Sequence, residues 1–269
     1  MLDLYVSPHI DDAILSCAGM MCQNGNDILI VNIFTKPVEG TKSLHGSELD
    51  LQERRNEEEL VLDQFKKIIG NKNIEIIYLD YNDALDRGFQ LKEILGPHDE
   101  KIFGSCDIEE IEEKINGILK DRNPDRIFVP TGTGNHVDHV LTYLIGHRLK
   151  KKLSNQEILF YSDIPYTFSA KISLWGTALR LLNPILWLRK AHKIYHINMF
   201  FLHLKIKQSQ NQNLPLPQKG KENPIDITDV IDKKIQLCQL YKNQLRVLFG
   251  NDPLTEKFFR KFSVELIYQ

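Results

Sequence analysis

The chain has 269 residues, of which 42% are hydrophobic and 26% charged, and its formal net charge at pH 7 is −2. This length allows one sizeable core, and the small net charge gives no global reason to expect a nucleic-acid partner. The N-terminus lacks the basic segment and long apolar core of a signal peptide. The longest apolar stretch, Ile172 to Leu188, is too short and too interrupted to span a membrane. We therefore expect a cytoplasmic protein.

The first 165 residues alternate between strand-like and helix-like patterns. Runs rich in β-branched residues indicate strands, and apolar residues at helical spacing indicate helices, one of which ends at Gly70 as a C-cap. In chain order the patterns predict strand 4–6, helix 12–23, strand 27–34, helix 48–69, strand 74–79, helix 108–120, strand 126–129, helix 139–153 and strand 158–161.

Strands separated by helices indicate right-handed crossovers and a mainly parallel sheet. The predicted fold class is therefore α/β, with a Rossmann-like mainly parallel sheet flanked by helices and a C-terminal elaboration. We assign residues 1–166 to the Rossmann-like, metal-dependent core and residues 167–269 to an elaboration packed on the same domain. Such sheets bind ligands beyond the carboxyl ends of their strands.

The pattern is looser after Pro165. Residues 170–207 are hydrophobic with scattered basic residues, and we expect them to pack within the C-terminal portion. Three alternatives stay open: a cap over the pocket, an oligomer contact, or peripheral contact with a membrane. Residues 208–223 are polar and predict a loop. A helix over residues 229–249, ending at Gly250, and a last strand over residues 263–268 complete the chain.

Two short segments with histidines and aspartates follow predicted strands. They are residues 7–12 (SPHIDD) and residues 134–139 (GNHVDH), which the predicted sheet brings to one edge. His9 and Asp12 lie three residues apart at a strand-to-helix turn, and His139 adds a third ligand at a second such turn. Two histidines and a carboxylate with an open position are typical of a hydrolytic Zn²⁺ site, although such a site also takes Fe²⁺.

Three further ionisable residues accompany these ligands. We predict that Asp11 is the general base that takes a proton from the attacking water, and that His136 stabilises the oxyanion as an imidazolium. Asp138 is predicted to orient a histidine or to hold it charged. The alternative for the Asp11–Asp12 pair is an N-cap with a favourable helix-dipole contact.

These motifs resemble those of the PIG-L/LmbE-like zinc de-N-acetylases. The usual first motif of that family is Pro-His-Pro-Asp-Asp-Glu, and here it reads PHIDDA; the usual second motif is His-Pro-Asp-His, and here it reads HVDH. The resemblance implies that His9, Asp12 and His139 bind zinc, that Asp11 is the base, and that His136 assists the oxyanion or the leaving group. The departures at Ile10 and Ala13 touch no ligand but weaken the transfer of substrate identity.

Six further residues are predicted to bind substrate: Arg54, Arg55, Asp83, Arg87, Asp163 and Tyr166. The arginines suit sugar hydroxyls or phosphates, or alternatively form a salt-bridged helix face with neighbouring glutamates. The aspartates suit hydrogen bonds to substrate hydroxyls. The tyrosine either stacks on a sugar or packs in the core.

The predicted function is hydrolysis of the N-acetyl group of an N-acetylglucosamine-like sugar, carried by a glycan, nucleotide sugar, glycolipid or glycosylated metabolite. A small N-acetylated sugar or glycoconjugate is the expected partner, without nucleic acid, and the resemblance also implies a homo-oligomer. Two alternatives stay open. One is a metal-dependent hydrolase of another small N-acyl amide, and the other is a non-catalytic sugar-binding module.

Overall fold

Seven strands form one sheet in a computed structural model that describes residues 1–36, 51–70, 73–94, 104–153, 156–164, 166–168, 221–248 and 252–269. The strands are β1 (Leu2–Ser7), β2 (Asp27–Asn32), β3 (Ile74–Tyr78), β4 (Arg126–Pro130), β5 (Glu157–Tyr161), β6 (Glu222–Asp226) and β7 (Val264–Tyr268). The helices are α1 (Asp12–Asn24), α2 (Leu51–Ile69), α3 (Leu91–Ile94), α4 (Ile108–Arg122), α5 (Val137–Lys152), α6 (Ile231–Cys238), α7 (Lys242–Leu248) and α8 (Asp252–Lys261), with short 3₁₀ turns at Tyr166–Phe168 and Thr228–Val230.

The strand order is β3-β2-β1-β4-β5-β7-β6, and the strands from β3 to β5 are parallel. This arrangement confirms the predicted α/β fold. Within the sheet, β2 and β3 lie on one side of β1, whereas β4 and β5 lie on its other side. The order therefore reverses between β1 and β4, which creates a crevice at the carboxyl ends of these two strands. Both His/Asp motifs begin there.

Helices cover both faces of the sheet and meet at this crevice. Because side chains alternate along a strand, Tyr5 belongs to the core on one face and Val6 to the core on the other. Helix α1 packs on the first face through residues such as Ile14, and α5 packs on the second through residues such as Leu141. The N-termini of α1 and α5 therefore approach one edge from opposite faces, and their dipoles favour negative charge there.

The C-terminal strands extend the same sheet. Strand β7 pairs antiparallel with β5, and β6 pairs antiparallel with β7 at the edge. The polar loop predicted over residues 208–223 includes the beginning of β6, because this strand has a proline and little apolar character. An edge strand tolerates Pro224, since one side of its backbone needs no ladder partner.

The helix predicted over residues 229–249 is wrong as a single element, because the chain breaks between α6 and α7. At the break, the N–H groups of Leu240 and Tyr241 bond to carbonyls three residues earlier, those of Leu237 and Cys238. Tyr241 is fully buried there, and its hydroxyl lies 3.4 Å from the carbonyl oxygen of Ile10. The interruption thus lies where this ring is buried beside the first motif.

A buried ion pair ties the C-terminal elements to α1. Both oxygens of Glu265 on β7 accept hydrogen bonds of 2.8 Å, one from the backbone N–H of Gly19 and one from that of Met20. The Nζ atom of Lys234 on α6 lies 2.5 Å from the same carboxylate, and both side chains are 1% exposed. The helix that carries the first motif is therefore fixed by groups from β7 and α6.

Several predictions fall outside the described residues. These are the hydrophobic segment 170–207, most of the predicted loop that follows it, and the start of the helix predicted from residue 48. Within the described part of the chain, none of the helices combines the length and apolar character that crossing a membrane requires.

Candidate metal centre

The turn between β1 and α1 brings His9 and Asp12 together. The hydroxyl of Ser7 donates to the carbonyl oxygen of His9 at 2.6 Å and accepts from the N–H of Ala13 at 3.1 Å. Oδ2 of Asp12 accepts from the backbone N–H of His9 at 3.0 Å. This local bonding holds the turn tight, so that both motif side chains reach one point above the strand end.

The loop between β4 and α5 needs unusual backbone angles to deliver the second motif. Gly132, Gly134 and Asn135 have φ values of 71°, 103° and 55°. Glycine and asparagine tolerate this left-handed region better than other residues. His136 then caps α5, because its Nδ1 accepts a 3.3 Å hydrogen bond from the N–H of Asp138.

Three side chains converge at the crevice. Oδ2 of Asp12 lies 3.0 Å from Nδ1 of His9 and 3.2 Å from Nε2 of His139. Ligand atoms of these three residues all lie within 4.8 Å of one another, close enough to bind one metal ion. His139 is 1% exposed, whereas the side chain of His9 is 15% exposed, so the set opens to solvent on the His9 side.

Each histidine is held from behind by a second carboxylate. Nε2 of His9 lies 2.9 Å from Oδ2 of Asp138, and Nδ1 of His139 lies 2.6 Å from Oδ1 of Asp163. A proton on each of these nitrogens leaves the other ring nitrogen with a lone pair directed at Asp12. Two imidazole nitrogens and a carboxylate oxygen directed at one point attract either protons or a metal cation, and this donor set fits Zn²⁺ or Fe²⁺.

A second grouping, of His9, His136 and Asp138, also lies within metal-binding distance. The carboxylate of Asp138 is already satisfied, because Oδ2 accepts from the N–H of Ala84 at 3.1 Å and Oδ1 accepts from Nη2 of Arg87 at 2.6 Å. A carboxylate with this many protein donors suits the support of a ligand better than direct binding. We therefore favour the set built around Asp12.

The carboxylates around His9 and His139 favour positive charge on these two rings. Burial alone would lower the pKa of His9, but hydrogen bonds to Asp12 and Asp138 raise it to about 9. The pKa of His139 is raised well above its usual value by Asp12 and Asp163, again against the effect of burial. Burial would raise the pKa of Asp12, yet the two histidines hold it well below its usual value.

Asp11 lies beside this set without serving as a cap. It occupies the N-cap position of α1, but its side chain makes no capping hydrogen bond, and the residue is 5% exposed. Burial, together with the neighbouring charge of Asp12, raises the pKa of Asp11 to about 6, while Arg54 acts to lower it. The capping alternative raised by the sequence therefore does not describe this side chain.

His136 differs from the expected imidazolium. Burial holds its pKa well below the usual value, although Asp138 acts in the opposite direction. Nδ1 accepts a backbone N–H and therefore carries no proton, so the proton of the neutral ring is on Nε2. His136 can thus donate one hydrogen bond from Nε2 as a neutral imidazole.

Two residues predicted to bind substrate instead face protein groups. Oδ2 of Asp163 accepts from the hydroxyl of Thr131 at 2.7 Å and from the N–H of Thr133 at 3.0 Å, while Oδ1 contacts His139. Asp163 is 1% exposed, which leaves no free oxygen for a substrate hydroxyl. Arg87 is 6% exposed and paired with Asp138. In this structure both side chains therefore contact protein groups behind His9 and His139, and substrate binding by them stays a prediction.

Arg55 and Asp83 are also largely engaged. Arg55 forms an ion pair with Asp80 and donates to the carbonyl oxygen of Thr35 at 3.1 Å, and its guanidinium lies 4.5 Å from the centre of the Tyr78 ring. In Asp83, Oδ1 closes a turn by accepting from the N–H groups of the residues two and three positions later. Arg54 differs, because its charge acts on Asp11.

Tyr166 borders the centre. Its ring centre lies 5.5 Å from that of His139 in an edge-to-face arrangement. The ring also packs directly on Gly134, where a Cβ atom would lie 2.5 Å from Cγ of the tyrosine. The loop therefore needs glycine at this position both for its φ and for the space that the ring occupies.

The donors to the carboxylates of Asp138 and Asp163 were not predicted from the sequence. They are the hydroxyl of Thr131, the N–H of Thr133 and the N–H of Ala84. A signal for the first two exists in the run Thr-Gly-Thr-Gly-Asn directly after β4, which combines donors with glycines at the edge of a sheet. Backbone donors such as that of Ala84 leave no trace in the identity of the residue.

Comparisons with known proteins give one family and one fold. The model of the PIG-L family, described as GlcNAc-PI de-N-acetylase, matches residues 4–149, a stretch that contains both motifs. A 2′-N-acetylparomamine deacetylase of Streptomyces fradiae is 28% identical over 169 residues, covering 61% of this chain and 57% of the relative. The chain thus spans a little over half the length of this curated relative.

Solved structures of deacetylases share the fold. The A40926 pseudoaglycone deacetylase Dbv21 superposes with a TM-score of 0.62 at 18% identity, over 99% of this chain and 95% of that one. The zinc-inhibited form of teicoplanin deacetylase Orf2 gives 0.64 at 17% identity, over 100% and 97%. At these identities the likeness concerns the fold alone. By its match to the family model over more than half its length, the chain belongs to the PIG-L family.

Proposed function

We propose that this protein is a metal-dependent hydrolase that removes the N-acetyl group from an amino sugar of a glycosylated compound. The observation that carries the proposal is the convergence of His9, Asp12 and His139 beside Asp11, whose carboxylate caps no helix. Membership of the PIG-L family and the deacetylase relatives support the same reaction.

His9, Asp12 and His139 are the residues that would hold the metal, with Zn²⁺ as the first candidate and Fe²⁺ as the second. When bound, such an ion supplies acidification of water and polarisation of the scissile carbonyl. Asp138 and Asp163 keep the two ligand histidines in the tautomers that this role needs.

Asp11 is the proposed general base. Its position beside Asp12 and its raised pKa suit a carboxylate that takes a proton from water and later delivers it to the departing amine. His136 is proposed to donate from Nε2 to the carbonyl oxygen as negative charge develops there. Hydrolysis then yields acetate and a free amino sugar, with the proton returned through Asp11.

For the substrate we propose an N-acetylated amino sugar within a larger glycoside. The names of the relatives refer to 2′-N-acetylparomamine and to teicoplanin, which supports a glycosylated small molecule over a free monosaccharide. Tyr166, beside His139 at the edge of the centre, is proposed to contact the sugar, and Arg54 is proposed to bind polar groups near Asp11.

The test is a metal-replete assay of the purified protein. N-acetylglucosamine, 2′-N-acetylparomamine, a nucleotide-linked N-acetylglucosamine and a phosphatidylinositol-linked one are each incubated with protein, and acetate and free amine are quantified. Asp11→Ala is expected to lower turnover by about 10²–10⁴-fold while keeping bound metal. His139→Ala is expected to lose both metal and turnover, and Asp226→Ala, an exposed carboxylate on β6, is expected to lose neither.

Other outcomes separate the alternatives. Release of a different acid from other N-acyl compounds, with the same dependence on Asp11, would identify a hydrolase of another amide. Tight sugar binding with no stoichiometric metal and no acid released would identify a binding module and would overturn the proposal. Near-full turnover in Asp11→Ala would overturn the assignment of the base.

A further inference from the structure

A buried arginine stands behind the carboxylate that supports His9. Oδ1 of Asp138 accepts a 2.6 Å hydrogen bond from Nη2 of Arg87, while Oδ2 of the same carboxylate lies 2.9 Å from Nε2 of His9. Asp138 is fully buried and the side chain of Arg87 is 6% exposed. The three side chains thus form a continuous path from a buried cation to a proposed metal ligand.

Several contacts fix the guanidinium in this position. Nη1 of Arg87 donates to the carbonyl oxygen of Asn82 at 2.7 Å. The guanidinium carbon lies 4.7 Å from the centre of the Phe34 ring and 5.7 Å from that of Phe89. Such cation–π contacts favour this position over solvent. Rotation toward a substrate would leave a buried carboxylate without its cation, which is strongly unfavourable.

The carboxylates behind the two proposed ligand histidines differ in the charge of their hydrogen-bond donors. The carboxylate behind His139, that of Asp163, is bonded on its far side by a hydroxyl and a backbone N–H, which are neutral donors. The carboxylate behind His9 is bonded by a full positive charge. A charge-assisted hydrogen bond is stronger and more directional than a neutral one.

We propose that Arg87 is a positioning residue for the metal ligand His9. It holds the carboxylate of Asp138 in the orientation that meets Nε2 of His9, so that Nδ1 of His9 faces the metal position. The inference rests on the proposed metal-dependent function and adds to it a residue that touches neither metal nor substrate. It also replaces the substrate contact first predicted for Arg87.

The test measures metal affinity directly. Purified apoprotein is titrated with Co²⁺, followed by visible absorption, and with Zn²⁺ in competition with a chromophoric chelator. The variants are Arg87→Met, which keeps the apolar stem, and Arg87→Lys, which keeps the charge. The matched control is Arg126→Met: Arg126 also pairs with a buried aspartate, Asp3, and lies over a phenylalanine ring, but it belongs to the opposite end of β4.

Arg87→Met is expected to bind metal about tenfold more weakly, at the lower end of effects seen for groups behind a ligand. Arg87→Lys is expected to restore affinity to within about threefold of the wild type, and Arg126→Met to leave it unchanged. Combined with Asp138→Asn, Arg87→Met is expected to weaken binding no further than Asp138→Asn does alone, because both act through one carboxylate.

Unchanged metal affinity in a folded Arg87→Met protein, with a raised KM for the acetylated substrate, would overturn the inference and return Arg87 to substrate binding. Fully additive effects in the double variant would also overturn it. If Arg87→Met does not fold, Arg87→Gln takes its place with a smaller loss expected. A wild-type protein that binds no Co²⁺ would overturn the proposed function itself, which is a distinct result.

Discussion

Oδ1 of Asp163 lies 2.6 Å from Nδ1 of His139, and both side chains are 1% exposed. This contact links the loop after β5 to the first turn of α5 and fixes which ring nitrogen of His139 carries the proton. Asp163→Ala is therefore expected to weaken Zn²⁺ binding by about 10–100-fold, measured by competition with a chelator.

The control for this prediction is Asp3→Ala. Asp3 is an equally buried carboxylate that accepts hydrogen bonds from Asn26 and Arg126, and it lies away from the centre. Both variants are expected to lose stability, since each leaves buried donors unsatisfied at about 1–3 kcal/mol per group. Only Asp163→Ala is expected to lose metal affinity. Equal affinities in the two variants would contradict a role for Asp163 behind the ligand.

The buried side chain of Glu58 on α2 is expected to make the stability of the protein depend on pH. Burial raises the pKa of Glu58 to about 7, although hydrogen bonds from Tyr78 and Asn32 act to lower it. The folded protein thus binds this proton more tightly than the unfolded chain does. The stability contributed by neutral Glu58 is fully present below about pH 4.5 and is lost as the pH rises through about 7.

Glu58→Gln imitates the neutral acid and should flatten this dependence. Urea unfolding at pH 5 and pH 8 is expected to show a wild-type loss, relative to the variant, of up to roughly 3 kcal/mol, taking about 1.4 kcal/mol per pKa unit. Glu222→Gln, on the exposed edge strand, serves as the control and should follow the wild type. A wild-type stability that rises between these pH values relative to Glu58→Gln would refute the assignment.

We predict that removing the cation of the buried Lys234–Glu265 pair costs much more stability than removing the cation of an exposed ion pair. Lys234→Met leaves a carboxylate that is 1% exposed without its cation, which is expected to cost about 3–5 kcal/mol in chemical unfolding. Arg260→Met removes the exposed contacts to Glu256 and Asp232 and should cost far less, because solvent screens exposed ion pairs. Similar losses in the two variants would show that the buried pair contributes little.

We predict that adding a methyl group at Gly134 lowers turnover more than adding one at Gly132. In Gly134→Ala the new methyl group would meet the Tyr166 ring at 2.5 Å, so the ring must move away from the centre. Gly132→Ala carries a similar backbone strain, at φ 71°, but its nearest atom, Cβ of Tyr143, lies at 3.4 Å. We expect kcat/KM for the acetylated substrate to fall about tenfold more in Gly134→Ala, an excess of roughly 1.4 kcal/mol in transition-state free energy.

The comparison uses metal-loaded protein, so that a change in metal content does not enter the result. Tyr166→Ala in the Gly134→Ala background should then cause little further loss, because the ring is already displaced. A Gly132→Ala protein that is impaired as strongly as Gly134→Ala would instead attribute the effect to the backbone of the loop.

The parallel sheet and the convergence of His9, Asp12 and His139 were predictable because short-range patterns determine them. Strands such as β1 and β4 are nearly continuous apolar runs, and each motif directly follows one of them. Once the sheet is parallel, its carboxyl ends coincide, which places His9 near His139 without any knowledge of side-chain packing. Strongly patterned segments are the ones that a single sequence describes best.

Contacts between distant segments were not predictable in the same way. From the sequence, Arg87 was predicted to bind substrate or to join a salt-bridged helix face, and only the fold reveals the buried carboxylate of Asp138 beside it. The predicted positive charge on His136 could not take into account the burial that lowers its pKa or the N–H of Asp138 that bonds to Nδ1. The break between α6 and α7 likewise lies beside a contact between distant segments, that of the Tyr241 hydroxyl with the carbonyl oxygen of Ile10.

The carboxylate of Glu265 has a consequence for the order in which the protein is made. It accepts two hydrogen bonds from the middle of α1, and one of these donors, Gly19, precedes it by 246 positions. A ribosome must therefore add 246 residues after Gly19 before this amide can meet its acceptor. We expect α1 to reach its final packing only after β7 has emerged and docked, so that the crevice beside α1 is completed late in folding.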